Sequence, residues 1–228
     1  LTMTFFAKEL IIFDLDGTLI DSAPDLALTI NLMLADLQLE PVDESLIRTW
    51  VGNGAQVLVE RALAHAYLSK PVELSLIDDA LAIFLNHYQH NLVVKSRLYP
   101  DVYRTLTTLK QQGFTLALIT NKPERFIAPI LAAIELNSLF SNVLGGDSLA
   151  RKKPDPLPLI TACQQLDFSV EQAVMVGDSK NDILAAKAAK MQSVGLTYGY
   201  NYGEPIANSK PDLVLDHFAK LIDHLVRV

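Results

Sequence analysis

Leu10-Ile11-Ile12-Phe13-Asp14-Leu15-Asp16-Gly17-Thr18-Leu19-Ile20-Asp21-Ser22 is the stretch whose reading decides the fold. Its four leading apolar residues do not alternate with polar ones, which predicts a strand buried on both faces. Asp14 and Asp16 follow at strand spacing, so both carboxylates point to one side while Leu15 points away. Gly17 permits a tight turn, and Thr18 brings a hydroxyl beside it. Two like charges at a strand end are costly unless a cation or a proton relieves them. Alone, such a pair is equally consistent with two solvated turn residues. Three later stretches tip the balance.

Downstream the pattern turns helical. Ser22 is placed as an N-cap, with Pro24 in the first turn and Asp25 three residues on. Leu26, Ile30, Met33, Leu34 and Leu37 recur at helical spacing, as do apolar residues over 43–51, 57–67 and from Leu74 to Tyr88. Gly52-Asn53-Gly54 interrupts this block, and residues 22–95 read as all-helical. From Pro100 strand and helix alternate. Strands are predicted at 114–119, 142–144, 173–176, 193–196 and 213–215. Helices are predicted from Val102 to a stop at Gly113, then over 127–134, 156–167, 181–190 and 217–227. Alternation of this kind implies an α/β fold with a doubly wound parallel sheet, a Rossmann-like core. The division expected is a core of residues 1–21 and 96–228 with an inserted helical cap of 22–95. Such an insertion stands over the carboxyl ends of the strands, where open α/β sheets bind ligands.

Composition narrows the partners. The 228 residues are half hydrophobic, enough for a large core, yet no apolar run approaches the ~18 residues of a membrane span. Twenty-six acidic against nineteen basic side chains give a net charge of −7, which argues against nucleic acid or an anionic membrane as the main partner. Leu1 to Glu9 lacks a basic segment followed by a long apolar one, so a cytoplasmic location is expected. Cys163 is the single cysteine, excludes an internal disulfide and falls in a helical apolar pattern as a core residue.

Polar clusters mark the ends of the predicted strands. Asp14 and Asp16 end the first, Thr120 and Asn121 the second, and Gly177-Asp178 with Asp182 a later one. Lys153 lies in the loop Arg151-Lys152-Lys153-Pro154, just before a helix. Each is unremarkable singly, but the fold gathers all of them at one edge. In this order they resemble the four motifs of the haloacid dehalogenase-like hydrolase superfamily, over essentially the whole chain. The helical insertion is similar to that family's cap. One departure is Ala189-Lys190-Met191, where such proteins carry glycine after the alanine-rich helix, which puts the helix's left-handed C-cap in question.

The resemblance implies a phosphatase of small phosphorylated metabolites, with 2-phosphoglycolate as the expected substrate. It implies Asp14 as nucleophile, Asp16 as acid and base, and Asp182 as a residue that either orients Lys153 or supports the ligands of the metal. Mg2+ is the implied cofactor, held by Asp14, Asp178 and the main-chain carbonyl of Asp16. Gly17, Thr18, Thr120, Asn121 and Lys153 are implied phosphate ligands. Four carboxylates against Lys153 leave a formal charge of −3, which a phosphate dianion tolerates only with a divalent cation. A sugar-phosphate phosphatase or phosphoglucomutase-like enzyme stands as the alternative. Gly52, Asn53 and Gly54 offer backbone N–H groups to a substrate carboxylate, with Arg48 and Arg61 as nearby cations. A monomer or homodimer is expected.

Overall fold

The computed structural model describes residues 8–227. Leu10–Phe13 (β1) leads into Ile20–Asp21 (β2) and four helices, Ala23–Asp36 (α1), Glu44–Arg48 (α2), Ala55–Ala66 (α3) and Leu74–Tyr88 (α4). Arg97–Leu98 (β3) returns to pair antiparallel with β2, Ile20 opposite Leu98. Then come Val102–Gln111 (α5), Thr115–Ile119 (β4), Ile127–Ala133 (α6), Asn142–Leu144 (β5), Leu157–Gln165 (α7) and Ala173–Gly177 (β6). Lys180–Ala188 (α8), Gln192–Leu196 (β7), Leu213–Leu215 (β8) and Leu221–His224 (α9) complete the chain.

Six strands form one sheet in the order β5-β4-β1-β6-β7-β8. Every pairing within it is parallel. The chain winds outward from β1 through β4 to β5, then crosses to β6 on the other flank. The carboxyl end of β1 is therefore the switch point where a crevice opens. All four β1 side chains are buried. Ile11 and Phe13 join one core cluster with Leu106 and Leu109 of α5, while Leu10 and Ile12 join a second with Leu159 of α7 and Ala185 of α8. Burial on both faces is worth on the order of 2 kcal/mol per side chain, so β1 is a firm base for the carboxylates at its end.

The two-residue strands β2 and β3 bracket the helical block and lie just outside residues 22–95; neither is long enough to carry a periodicity. Two local expectations are corrected. Ser22 occupies the N-cap position of α1 without capping through its side chain. The hydroxyl of Tyr200, from a distant loop, instead accepts from the N–H groups of Ser22 and Ala23 at 2.9 and 3.0 Å. Asp25 turns inward and accepts from the N–H groups of Val94, Lys95 and Ser96 and from the Ser96 hydroxyl. The final helix is short: a 3-10 turn over Phe218–Lys220 and α9 bury Phe218, Leu221 and Leu225, after which the chain is extended at Leu225.

The missing glycine after α8 has a clear outcome. Lys190 itself adopts the left-handed conformation, φ 59°. Its N–H and that of Met191 reach the carbonyls of Lys187 and Ala186 at 3.0 and 2.8 Å. The cap forms, at a cost of about 1 kcal/mol for a residue with a Cβ.

Candidate active site

The turn after β1 is held by the carbonyl of Leu15, which accepts from the N–H groups of Thr18, Leu19 and Ile20. Gly17 takes φ +83°, and a Cβ there would lie 2.3 Å from Asp178 Oδ2. Thr18 and Gly17 thus both lie against Asp178: the buried Thr18 hydroxyl donates to Asp178 Oδ1 at 2.8 Å. The N–H of Tyr200 donates to the other oxygen at 2.8 Å. Asp178 is fixed by two partners on separate elements.

Asp182 is placed by the start of α8. The Ser179 side chain accepts from Asn181 N–H, and Asp182 Oδ2 accepts from Ser179 N–H at 3.0 Å, a reciprocal capping box. That leaves Asp182 Oδ1 for Lys153 Nζ, 2.7 Å away. Lys153 also lies 3.0 Å from Asp14 Oδ1 and donates to the Ile119 carbonyl at 2.6 Å. The resulting group of Asp14, Asp178 and Asp182 brings carboxylate oxygens within 4.8 Å of one another, all buried.

The carboxylate of Asp16 lies outside this group. Its Oδ1 accepts from the Ser22 hydroxyl at 2.5 Å and pairs with Lys122 Nζ at 3.3 Å. Lys122 is nearly inaccessible and also donates to the Tyr88 hydroxyl at 2.5 Å. Counting Lys122 changes the sequence-derived charge of −3 to −2.

Electrostatics reflect this crowding. Burial, with Asp182 close by, pushes Asp14 well above the usual carboxylate range. Burial and Asp182 likewise raise Asp178 to about 7. For Lys153 burial acts downward, but Asp14 and Asp182 outweigh it and hold the ammonium above its ordinary range. For Lys122 burial is outweighed by Asp16 and Tyr88. Such a carboxylate set is short of positive charge, and its all-oxygen donors suit a hard divalent cation.

A pocket of about 460 Å³, counting its mouth, opens above Asp14 and Asp16. Thr120, Asn121, Gly52 and Gly54 line it, together with Leu26, Leu58 and Phe84 from the helical block. Thr120 accepts from the N–H of Lys122 at 3.1 Å. Asn121 donates to the carbonyls of Gly52 and Lys153 at 3.0 and 2.9 Å. Asn53 is directed elsewhere, its oxygens taken by Arg61 and Lys152. The two expected cap cations are also committed. Arg48 forms a two-point ion pair with Asp21 and a further one with Glu44. Arg61 donates to the Trp50 carbonyl and faces the Tyr202 ring. Sequence reasoning missed Lys122, Tyr88 and Tyr200. A lysine two residues beyond Thr120 was the one signal in the chain, and the bend at Asn121 and Lys122 that aims it is not written in its spacing.

Similarity to known proteins agrees with this geometry. A phosphoglycolate phosphatase of Colwellia psychrerythraea is 55% identical over 221 residues, covering 96% of this chain and 98% of that protein. One from Haemophilus influenzae is 50% identical over 216 residues, covering 94% and 96%. A solved structure from Haemophilus somnus, described as a predicted phosphoglycolate phosphatase, superposes with a TM-score of 0.91 at 47% identity, over 95% of this chain and 97% of that one. Residues 11–196, from β1 to the end of β7, match the sequence model of the haloacid dehalogenase-like hydrolases, and the chain belongs to that family.

Proposed function

We propose that this protein is a Mg2+-dependent phosphatase that hydrolyses 2-phosphoglycolate to glycolate and phosphate, with residues 22–95 acting as a cap over a core of 1–21 and 96–228. The observation that carries the reading is the convergence of Asp14, Asp178, Asp182 and Lys153 at the carboxyl end of β1, beneath a small pocket. The Colwellia and Haemophilus relatives, named for that activity, support the substrate.

In this reading Asp14 is the nucleophile. Its Oδ1 accepts from Leu15 N–H at 2.8 Å and from Lys153, which leaves Oδ2 to attack phosphorus. The bond from phosphorus to the substrate's ester oxygen breaks as the aspartyl-phosphate forms. Asp16 gives its proton to the departing alkoxide, then takes one from the water that releases phosphate from Asp14. Thr120 and Lys153 hold the oxygens of the transferring group. Asp182, through its bond to Lys153, is a positioning residue. Asp14, Asp178 and the Asp16 carbonyl would hold Mg2+, which when bound supplies positive charge opposite the phosphoryl oxygens. A cytoplasmic monomer or homodimer fits this activity, and no described helix is long and apolar enough to cross a membrane.

The test is phosphate release from 2-phosphoglycolate and from hexose phosphates, with and without Mg2+, in wild type and Asp14→Asn. The proposal expects metal-dependent turnover that favours 2-phosphoglycolate and is abolished by the substitution. Preference for a hexose phosphate overturns the substrate, and turnover by Asp14→Asn overturns the nucleophile.

A further inference from the structure

Among the described residues lining the pocket, Lys122 is the one that carries positive charge. Leu26, Val51, Leu58 and Phe84 make much of the remaining wall apolar. An ammonium in such surroundings is costly to bury, and a hydrophobic residue would serve packing better. Its position is nonetheless tightly specified. The Lys122 N–H is fixed on Thr120, its Nζ donates to the Tyr88 hydroxyl, and Tyr88 stacks on Phe84 with ring centroids 5.6 Å apart. Tyr88 also packs edge-on against Phe126, at 5.0 Å. An ammonium has three donors, and among the described residues its polar partners are Tyr88 and Asp16. One donor therefore remains for a ligand.

We infer that Lys122, held in place by Tyr88, binds the carboxylate of the leaving group and so sets substrate choice. The inference rests on the proposed reaction. The phosphoryl end of the substrate is bound by Asp14, Thr120 and Lys153, and Lys122 follows Thr120 by two residues on the same loop. A two-carbon substrate places its carboxylate within that short span. The other cations near the turn are occupied: Arg48 by Asp21 and Glu44, Arg61 by Trp50 and Asn53, and Lys152 by the Asn53 carbonyl.

The experiment compares specificity constants for 2-phosphoglycolate and 2-hydroxyethyl phosphate, which carries a hydroxymethyl group in place of the carboxylate. Wild type, Lys122→Met, Lys122→Gln and Tyr88→Phe are measured, each first checked for folding by circular dichroism. Wild type is expected to favour 2-phosphoglycolate. Lys122→Met should reduce that ratio by about 100-fold, the worth of a charge-assisted hydrogen bond, chiefly through KM. Lys122→Gln should reduce it by about 10-fold, since an amide still donates but without charge. Tyr88→Phe should reduce it several-fold while leaving the lysine charge in place. A wild type without preference overturns the proposed substrate. A wild type with preference, whose Lys122 variants slow both substrates equally, overturns this inference and leaves Lys122 as a partner of Asp16 only. Should Lys122→Met fail to fold, Lys122→Gln decides the matter by the same ratio.

Discussion

Replacing Asp25 with alanine should destabilise the protein far more than its place on a helix indicates. Its side chain is wholly buried, and it accepts from four donors: Val94, Lys95 and Ser96 N–H at 2.8 to 3.0 Å, and the Ser96 hydroxyl at 2.5 Å. Val94 and Lys95 are exposed, so their N–H groups can turn to water once the carboxylate is gone. Ser96 is 1% exposed and cannot. Two orphaned buried donors at about 1–3 kcal/mol each give an expected loss of about 4 kcal/mol. Asp25→Asn keeps one acceptor and loses the charge, so about 2 kcal/mol is expected. Urea titration followed by far-ultraviolet circular dichroism measures both. With a slope of about 3 kcal/mol per molar, the alanine variant should shift its midpoint by about 1.3 M. Amide exchange should quicken at residues 94–98 in both variants, because Asp25 fastens the return of the chain to the start of α1. A midpoint shift under about 0.3 M in the alanine variant refutes the reasoning, since it requires Ser96 to find other partners.

Three further outcomes are expected from the geometry. Asp178, raised to about 7 from an ordinary value of 3.8, holds its proton better folded than unfolded. Its contribution to stability is therefore fully present below pH 4 and is lost as pH rises through about 7. In metal-free protein Asp178→Asn should gain on wild type in thermal midpoint across that window. The stabilisation of wild type by Mg2+ should grow over it, because the ion needs the ionised carboxylate; a pH-independent increment refutes the assignment. Lys190→Gly removes left-handed strain of about 1 kcal/mol, offset in part by unfolded-state freedom, and should raise stability by about 0.5 kcal/mol in a urea titration. Asp16→Asn should slow the first step for alkyl phosphates by about 100-fold or more, and much less for an aryl phosphate with a good leaving group, as read from pre-steady-state bursts.

What the chain discloses unaided is set by how local the controlling forces are. Leu10 to Phe13 announces a two-faced strand because burial on both sides leaves no room for alternation, and the strand is buried throughout. The gathering of Asp14, Thr120, Lys153 and Asp178 was legible because parallel strands deliver their carboxyl ends to one edge. Ser22 and Asp25 misled because a capping signature is satisfied by side-chain type alone. Here Asp16, six residues before Ser22, and Ser96, 71 residues beyond Asp25, compete for the same groups and win. Arg48 and Arg61 were unreadable for a related reason: a helix assigns each a direction that composition does not contain. Lys122 was visible as a letter but not as a charge against Asp16, since that pairing is made only when β1 and β4 lie side by side.

The carbonyl of Gly52 accepts from the side-chain amides of both Asn121 and Asn181, at 3.0 and 3.2 Å. Asn121, just past the end of β4, and Asn181, in the first turn of α8, thus grip a single peptide unit of the turn that roofs the pocket. The grip carries no formal charge, so ionic strength and pH within the working range leave it untouched while they alter every ion pair around it. It also belongs to the main chain at Gly52, whose φ of +130° suits glycine and where a Cβ would lie 2.8 Å from the Tyr202 hydroxyl, so a side chain there disturbs the grip only by straining the turn itself. To loosen this roof without straining the turn, so as to speed product exit or admit a bulkier ester, the change belongs at the floor, at Asn121 or Asn181.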